Sequence, residues 1–478
     1  MRKRFGLGIA LWLAAGVSFA QSKLSLEDYL GQVRSQGPDF KSSETAAEGY
    51  DRQSHQQDLI YSPQLVATYN HLDDQSVQLI PFYGTHTLTD SVGVSLTDKL
   101  PFGPSVTLGY SFINNSYSGS SLASQFGFAS LKSDYQISPV ISLSMPLFKD
   151  FGGAQTSAGV KKVQYQFEAA THGAVFAKEQ SLFNAKMAYW NLALSRSELS
   201  IRQDTLDRSQ KIWDWTKRRV ARNLADPPDA LQAEASVRVA ELDLQMANER
   251  ERSARIAFNR YRNLSQPEVT EQLEGLEDSL ATLKVEIPGT LPERLDLKVA
   301  QDQAKQQKAA YDEANQNIFP DITAYASWRG NGLDPNFNPA NNMAFGPDHP
   351  TYNIGAQFNL PLDVFTASRA SEGYKLNYES AALSLENKQI QVGQEWKNLV
   401  NQLQDADKRL AMAAQIEVIQ KQKADEEKKR LELGRTTQFQ LLSFENDYAL
   451  ARLNRLSQVV EKLSLLAQAQ WWLSTEKQ

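Results

Sequence analysis

The sequence predicts an α+β chain built from two structural repeats, each joining short β-hairpins to very long antiparallel coiled-coil helices. Two observations carry this reading. First, Ser62-Pro63-Gln64-Leu65 opens an alternating run that closes at Met145-Pro146-Leu147-Phe148 before a long helical tract, and Phe319-Pro320-Asp321-Ile322 opens another that closes at Leu360-Pro361-Leu362 before a second. Second, the tracts break at matching places: Asn223, Asp229 and Glu234 stand 211 residues before Gly434, Gln440 and Glu445. A half that joins short strands to very long helices makes little sense as an ordinary globular domain and reads instead as a stave.

Taken in order, residues 1–20 read as a secretory signal. Arg2, Lys3 and Arg4 precede an apolar run from Phe5 to Val17, and Ser18-Phe19-Ala20 has the small-x-small form of a cleavage site. Cleavage after Ala20 takes the formal net charge from −6 to −9. An acidic chain whose largest basic cluster is Lys217-Arg218-Arg219 is a poor nucleic-acid binder. The chain has no cysteine, which excludes disulfides, thiolate chemistry and cysteine-ligated metals. Beyond the signal no stretch approaches the roughly 20 apolar residues of a membrane helix, so contact with a bilayer has to be made through strands.

Residues 21–62 are read as an N-terminal helix and 63–148 as the first β segment. Val92, Val94 and Leu96 alternate with Ser91, Gly93, Ser95 and Thr97, and Val106, Leu108, Tyr110 and Phe112 with Ser105, Thr107, Gly109 and Ser111. One apolar face and one small polar face is the pattern of a strand between lipid and a watery lumen. A soluble sandwich with one wet face gives the same alternation, but the connections favour a barrel. Long polar stretches at 73–89 and 114–136 flank one tight turn, Leu100-Pro101-Phe102-Gly103-Pro104, matching the long loops and short turns of an outer-membrane barrel.

Residues 149–264 hold the first helical hairpin. From Ala154 to about Arg222 there is no proline, a tract about 100 Å long if unbroken. Val160, Val163, Phe167, Ala170, Ala174 and Ala177 mark a seam at steps of three and four. The tract reverses at Arg222-Asn223-Leu224-Ala225-Asp226-Pro227-Pro228, where Asn suits a left-handed cap and the prolines start the next helix. A linker (265–291) and a helix (292–319) lead to the second β segment, 320–362, with Tyr352, Ile354, Ala356, Phe358 and Leu360 on one face and one long loop at 330–350. The first β segment spans 83 residues between its prolines and the second 41, giving room for four strands and two.

The second helical hairpin, 363–478, carries seams at Trp396, Leu399, Leu403, Ala406, Leu410 and Ala413 and at Ala449, Leu453, Leu456, Val460, Leu463 and Ala467. It reverses at Leu433-Gly434-Arg435-Thr436-Thr437, with Gly as C-cap and Thr as N-cap. Both hairpins are expected to fold back towards the strands, with their tips farthest from the membrane. A coiled coil hanging from a barrel edge leaves one flank unpaired in a single chain, so several copies must close the ring.

At this point the sequence resembles the TolC-like outer-membrane factor family. The resemblance rests on the order and duplication of Ser62-Pro63-Gln64-Leu65, Ser144-Met145-Pro146-Leu147-Phe148, Ala188-Tyr189-Trp190-Asn191-Leu192, Glu293-Arg294-Leu295-Asp296-Leu297, Phe319-Pro320, Asn359-Leu360-Pro361-Leu362, and Arg430-Leu431-Glu432-Leu433-Gly434 with Leu441-Leu442. It implies a homotrimer with a β-barrel in outer-membrane lipid and an α-helical tunnel in the periplasm. The tips would dock a periplasmic adaptor and serve an inner-membrane pump in efflux or type I secretion.

Two departures from the family pattern stand out. Members commonly give two strands per half, whereas the first half here has room for four, so residues 90–113 are expected to add a hairpin, either widening the barrel to eighteen strands or folding outside it. At the tip, the family's acidic positions after the second-half glycine are Gln440 and Ser443. Asp229 keeps the first-half acid, and Thr436 stands where a basic partner often sits. The expected entrance is therefore formed by Asp229, Gln440, Ser443 and Thr436 and is less cation-selective, with Arg222, Asn223, Gly434 and Arg435 as the adaptor-facing reversals.

The remaining candidates read as structural. His55, His71, His86, His172 and His349 lack ligand spacing, and Phe151-Gly152-Gly153 lacks the residues of a phosphate cradle. The run Asp425 to Arg430 reads as a solvated helix face or an adaptor patch, and Trp471-Trp472 as helix packing. No nucleophile, base and oxyanion donor assemble, so neither an enzyme nor a cofactor is expected. The competing reading is a non-conducting coiled-coil scaffold. A general porin is opposed by the helical tracts.

Overall fold

The strand-forming alternations are each bounded by turn residues, and in the computed structural model they become ten- to fourteen-residue strands. The structure describes residues 23–77, 82–127, 131–360 and 362–474; the signal segment, Pro361 and the last four residues lie outside these. In chain order the elements begin with β1 (Lys23–Leu24), α1 (Leu26–Gln36), α2 (Pro38–Ser54), β2 (Gln64–Asp74), β3 (His86–Lys99), β4 (Ser105–Ser118), α3 (Leu122–Gln125) and β5 (Ser133–Pro146). There follow α4 (Ala154–Val220), α5 (Pro227–Tyr261), β6 (Gln272–Leu273), α6 (Leu276–Thr282) and α7 (Leu295–Gln316). The chain ends with β7 (Asp321–Gly330), β8 (Gly332–Asp334), α8 (Phe337–Ala344), β9 (Pro350–Asn359), α9 (Val364–Glu432) and α10 (Gln438–Leu473). It divides into two compact units, one of residues 46–173 and 295–392, the other of residues 1–45, 174–294 and 393–478.

The first unit holds an antiparallel sheet in the order β2-β3-β4-β5-β7-β9, with β8 extending the pairing of β5. Its register sorts side chains by chemistry. Leu65, Leu96, Leu108, Ile141, Trp328 and Tyr352 stand in one unbroken cross-strand row. The adjacent row, on the opposite face, reads Gln64, Thr97, Thr107, Ser142, Ser327 and Asn353. A slip of one residue in any pairing would exchange these faces, so the alternation fixes the register. The apolar row is uncovered, with Leu65 70% and Tyr352 73% exposed.

The extra hairpin expected over residues 90–113 is β3–β4, longer than the sequence suggested. Residues 86–89, 114–118 and 133–136, read as loop, are strand. The tight turn closes with Leu100 N–H to Pro104 O (2.8 Å) and Gly103 N–H to Leu100 O (2.9 Å). The long second loop is not irregular throughout, since it contains β8 and α8. Helix α8 lies flat on the sheet because Gly330 and Gly332 have no side chain there: a Cβ would stand 1.9 Å from Ala344 O and 1.8 Å from Ala340 O. Ile137, Ala340 and Ala344 form the small core beneath it, flanked by Tyr110, Phe112 and Tyr135.

In the same unit, α7 presents Ala304, Ala309, Ala310 and Ala314 as buried positions. Lys162 bonds Glu313 at 2.5 Å, and His172 meets Asp302 at 2.8 Å. The first predicted seam is only half-buried from Val160 to Ala170, as is Ala174, while Ala177 is exposed; Ala174 and Ala177 belong to the second unit.

In the second unit most of the seam residues of the second repeat are buried, Trp396, Leu399, Leu403, Ala406 and Ala413 on α9 and Ala449, Leu456, Val460, Leu463 and Ala467 on α10, while Leu410 and Leu453 are half-buried. The N-terminal segment is not one helix. It forms β1, α1 and α2, broken between the helices at Gly37-Pro38, where proline cannot supply the amide that a continuing helix needs. Strand β1 pairs in parallel with β6. Tyr29, Tyr189 and Phe258 pack together, with Tyr29 and Phe258 stacked at 4.2 Å. The Tyr189 hydroxyl donates to Leu24 O (2.7 Å) and accepts from Glu274 N–H (2.9 Å). Trp471 stacks on Phe183, and Arg294 lies over the Trp472 ring at 4.1 Å, so both tryptophans are packing residues.

Candidate functional site at the helix reversals

The two helix reversals belong to the second unit and share their closing pair of hydrogen bonds. In the first, Asn223 N–H donates to Val220 O (3.0 Å) and Leu224 N–H to Arg219 O (2.9 Å). In the second, Gly434 N–H donates to Leu431 O and Arg435 N–H to Arg430 O, both at 2.9 Å. This is the pairing that satisfies the last carbonyls of a helix ending in a left-handed residue. Asn223 and Gly434 are those residues, at φ 54° and 72°. The next helices start in the same frame, with Asp226 the N-cap of α5 and Thr437 that of α10.

The capping chemistry then diverges. Asp229, at the third position of α5, accepts the Asp226 amide at 3.4 Å, so its carboxylate serves the helix start. At the matching place Gln440 contributes only its amide, donated to the Thr437 hydroxyl at 3.3 Å. Arg219 reaches Leu224 O at 2.9 Å and lies over the Trp215 ring at 4.6 Å, clamping the first reversal. The second is clamped from inside: buried Glu427 accepts from the Thr436 hydroxyl and from Arg430 at 3.2 Å.

The predicted entrance residues are only partly brought together. Asp229 and Thr436 line one cleft of about 270 Å³ together with Trp215, Leu224 and Phe439. Ser443 lines a neighbouring cleft of about 330 Å³ with Arg208, Asp243 and Glu445. Gln440 borders neither. Arg222, Asn223, Gly434 and Arg435 are all exposed.

Sequence reasoning missed three links. Thr216, on α4, meets Gln438, at the start of α10, at 2.5 Å, joining the two hairpins. Arg208 joins α4 to Glu445 of α10 at 3.2 Å. Burial pushes the Glu445 carboxyl above its ordinary value, against the opposing pull of Arg208 and Lys428. Glu427, inside a charge run that reads as a solvated helix face or an adaptor patch, is 4% exposed. One signal for it was available: Thr216 and Glu427 stand in the same 211-residue frame as the reversals, and both are buried.

Among the described residues no helix is long and apolar enough to cross a membrane, and no cluster of His, Cys, Asp and Glu could hold a metal ion.

No curated protein matches the sequence. Residues 287–462 match the family model described as "Outer membrane efflux protein". Among solved structures, the Campylobacter jejuni CmeC outer membrane channel is similar with a TM-score of 0.65 and 14% identity, over 94% of this chain and 87% of that one. The open-state Neisseria gonorrhoeae MtrE outer membrane channel gives 0.63 and 16%, over 94% and 88%. The Vibrio cholerae outer membrane protein VceC gives 0.61 and 16%, over 94% and 96%. Residues 287–462 thus match the outer membrane efflux protein family model, and 94% of the chain is similar in fold to solved outer membrane channels.

Proposed function

We propose that this protein is the outer-membrane channel of a tripartite efflux pump or type I secretion system, a passive conduit working as a homotrimer. The observation that carries this is the sheet's division into an exposed apolar face and a mostly polar one, since a wall between lipid and water needs both at once. The sheet stands in the outer membrane, and the helical hairpins extend into the periplasm. Energy comes from an inner-membrane pump, and a periplasmic adaptor meets the exposed reversals at Arg222, Asn223, Gly434 and Arg435.

Opening is a population shift: an adaptor that binds splayed hairpins better than closed ones favours the open state by that difference in affinity. Splaying the hairpins breaks the Thr216–Gln438 link. Of the proposed entrance residues Asp229, Gln440, Ser443 and Thr436 only Asp229 is acidic, and Asp243 and Glu445 beside Ser443 face the opposing charges of Arg202 and Arg208, so the entrance concentrates cations weakly.

Planar-bilayer recording with purified trimer tests this. Discrete conductance steps are expected, with weak cation preference little changed in Asp229→Ala. Silent trimers would favour a coiled-coil scaffold, and strong cation selectivity lost in Asp229→Ala would overturn the neutral entrance.

A further inference from the structure

The two outermost strands of the sheet, β2 and β9, each use one edge. Among the described residues, the other edge of each is unpaired along its eleven and ten residues. Sheets with exposed edges usually blunt them with lysine, interior proline or a bulge. Neither strand contains lysine, and the only proline in either is Pro350 at the first position of β9. Apart from Asp73 and Asp74 at the end of β2, both edges are open templates for another strand.

Their directions also fit. Six strands run alternately up and down, so β2 and β9 point opposite ways, and β2 of one copy meets β9 of the next as an antiparallel pair. Their faces agree as well: Leu65 and Tyr69 on β2, and Tyr352, Ile354 and Phe358 on β9, are exposed on the apolar side.

The hairpin β3–β4 carries both dressings of a membrane wall. Val92, Val94, Leu96 and Leu108 are exposed on its apolar face. Ser91, Ser95, Thr97, Thr107 and Ser111 occupy the other face. A hairpin folded away into water would have no use for the first set. It also stands between β2 and β5, with every residue of β2 paired to β3 and every residue of β3 paired to β4, so taking it out of the wall means breaking the β2–β3 and β4–β5 ladders and re-pairing β2 with β5.

We infer that β3–β4 is part of the pore wall, and that three copies join β2 to β9 into one barrel of eighteen strands. This rests on the channel reading above. Barrel diameter grows about linearly with strand number, so this wall encloses a lumen roughly half again as wide as four strands per copy would give. The exit is then suited to bulky, water-surrounded cargo, and the six-strand contribution of each copy sets that width.

The chain has no cysteine, so introduced pairs can be read without background. Thr68→Cys on β2 is combined in turn with Asn353→Cys and Gln357→Cys on β9, all on the polar face. A second protein carries Val66→Cys with Ser95→Cys, which are direct partners. A third carries Val66→Cys with Val140→Cys, which become neighbours only if β3–β4 leaves the wall.

Oxidised in outer-membrane vesicles, at least one β2–β9 combination is expected to run as a covalent trimer on non-reducing gels. The second protein is expected to close within one chain and the third to stay open. A conducting trimer in which Val66–Val140 closes, or in which no β2–β9 pair does, overturns the inference and leaves the channel standing. A trimer with β2–β9 cross-links but no conductance keeps the eighteen-stranded wall and sinks the channel instead.

Discussion

Asn223 and Gly434, 211 residues apart, adopt the same left-handed backbone and end their helices with the same two hydrogen bonds. The repeat is thus conserved within the chain at the level of backbone geometry even where the residue type has changed. Asparagine tolerates this conformation because its short polar side chain bonds locally, and glycine because it has no side chain at all.

That difference is measurable. Nothing lies within 4 Å of a Cβ placed on Gly434, so Gly434→Ala pays only backbone strain, about 1 kcal/mol. Gly434→Asn should recover most of it. Hydrogen exchange of the Gly434 and Arg435 amides is expected to quicken several-fold in the alanine variant and hardly at all in the asparagine one.

Glu427 secures the second reversal from within the helix pair. Glu427→Ala leaves the Thr436 hydroxyl and Arg430 without their acceptor, at a cost of about 1–3 kcal/mol. Glu427→Gln, which keeps an acceptor oxygen, should cost less. Denaturant melts of the two variants give the order directly, and equal losses would mean that the bond to Thr436 contributes little.

Glu445 should respond to pH in the sense opposite to a surface acid. Its carboxyl is raised by burial above the ordinary 4.5, so the folded protein takes up this proton more readily than the unfolded chain. The stabilisation linked to it is therefore full below the unfolded value and fades as pH rises through the folded one. Relative to Glu445→Gln, the wild type is expected to gain stability as pH falls from neutral towards 4.5. Paired melts across that range check the sign, and a relative loss would show that the Arg208 pair outweighs burial.

The two faces of the sheet predict opposite tolerance to charge. Leu108→Arg places a cation on the lipid face and should cost about 2–4 kcal/mol if the site lies near the bilayer midplane, read as reduced insertion into liposomes. Thr107→Arg, one residue away on the polar face, should insert normally and shift the channel towards anions. Equal insertion of the two would contradict the assignment of faces.

Much of this was legible in the sequence, for identifiable reasons. The strands around Leu96 and Leu108 announce themselves because one face must be apolar and the other not. Their far ends, such as Asn114 to Ser118, do not, because a strand polar on both faces has the composition of a loop. The seam from Trp396 to Ala413 was visible and is mostly buried, since its partner α10 is in the same chain. The seam from Val160 to Ala177 was equally visible but is half-buried, as expected of a surface that a single copy does not fully cover. At the tip, the reversals followed from Asn223, Pro227 and Gly434. Burial of Glu427 did not, because a carboxylate inside a run of six charged residues looks solvated until the Thr436 hydroxyl is seen to reach it.

The bare edges of β2 and β9 carry a hazard as well as a use. Until neighbouring copies arrive, each folded sheet offers two sticky templates to any extended peptide, including the same strands of chains still unfolded. If three copies close the sheet as proposed, biogenesis has to keep them apart until the right edges meet, and at high concentration off-pathway stacking competes with that closure. Yield of this protein should fall with the rate of its export sooner than with any change to its helices.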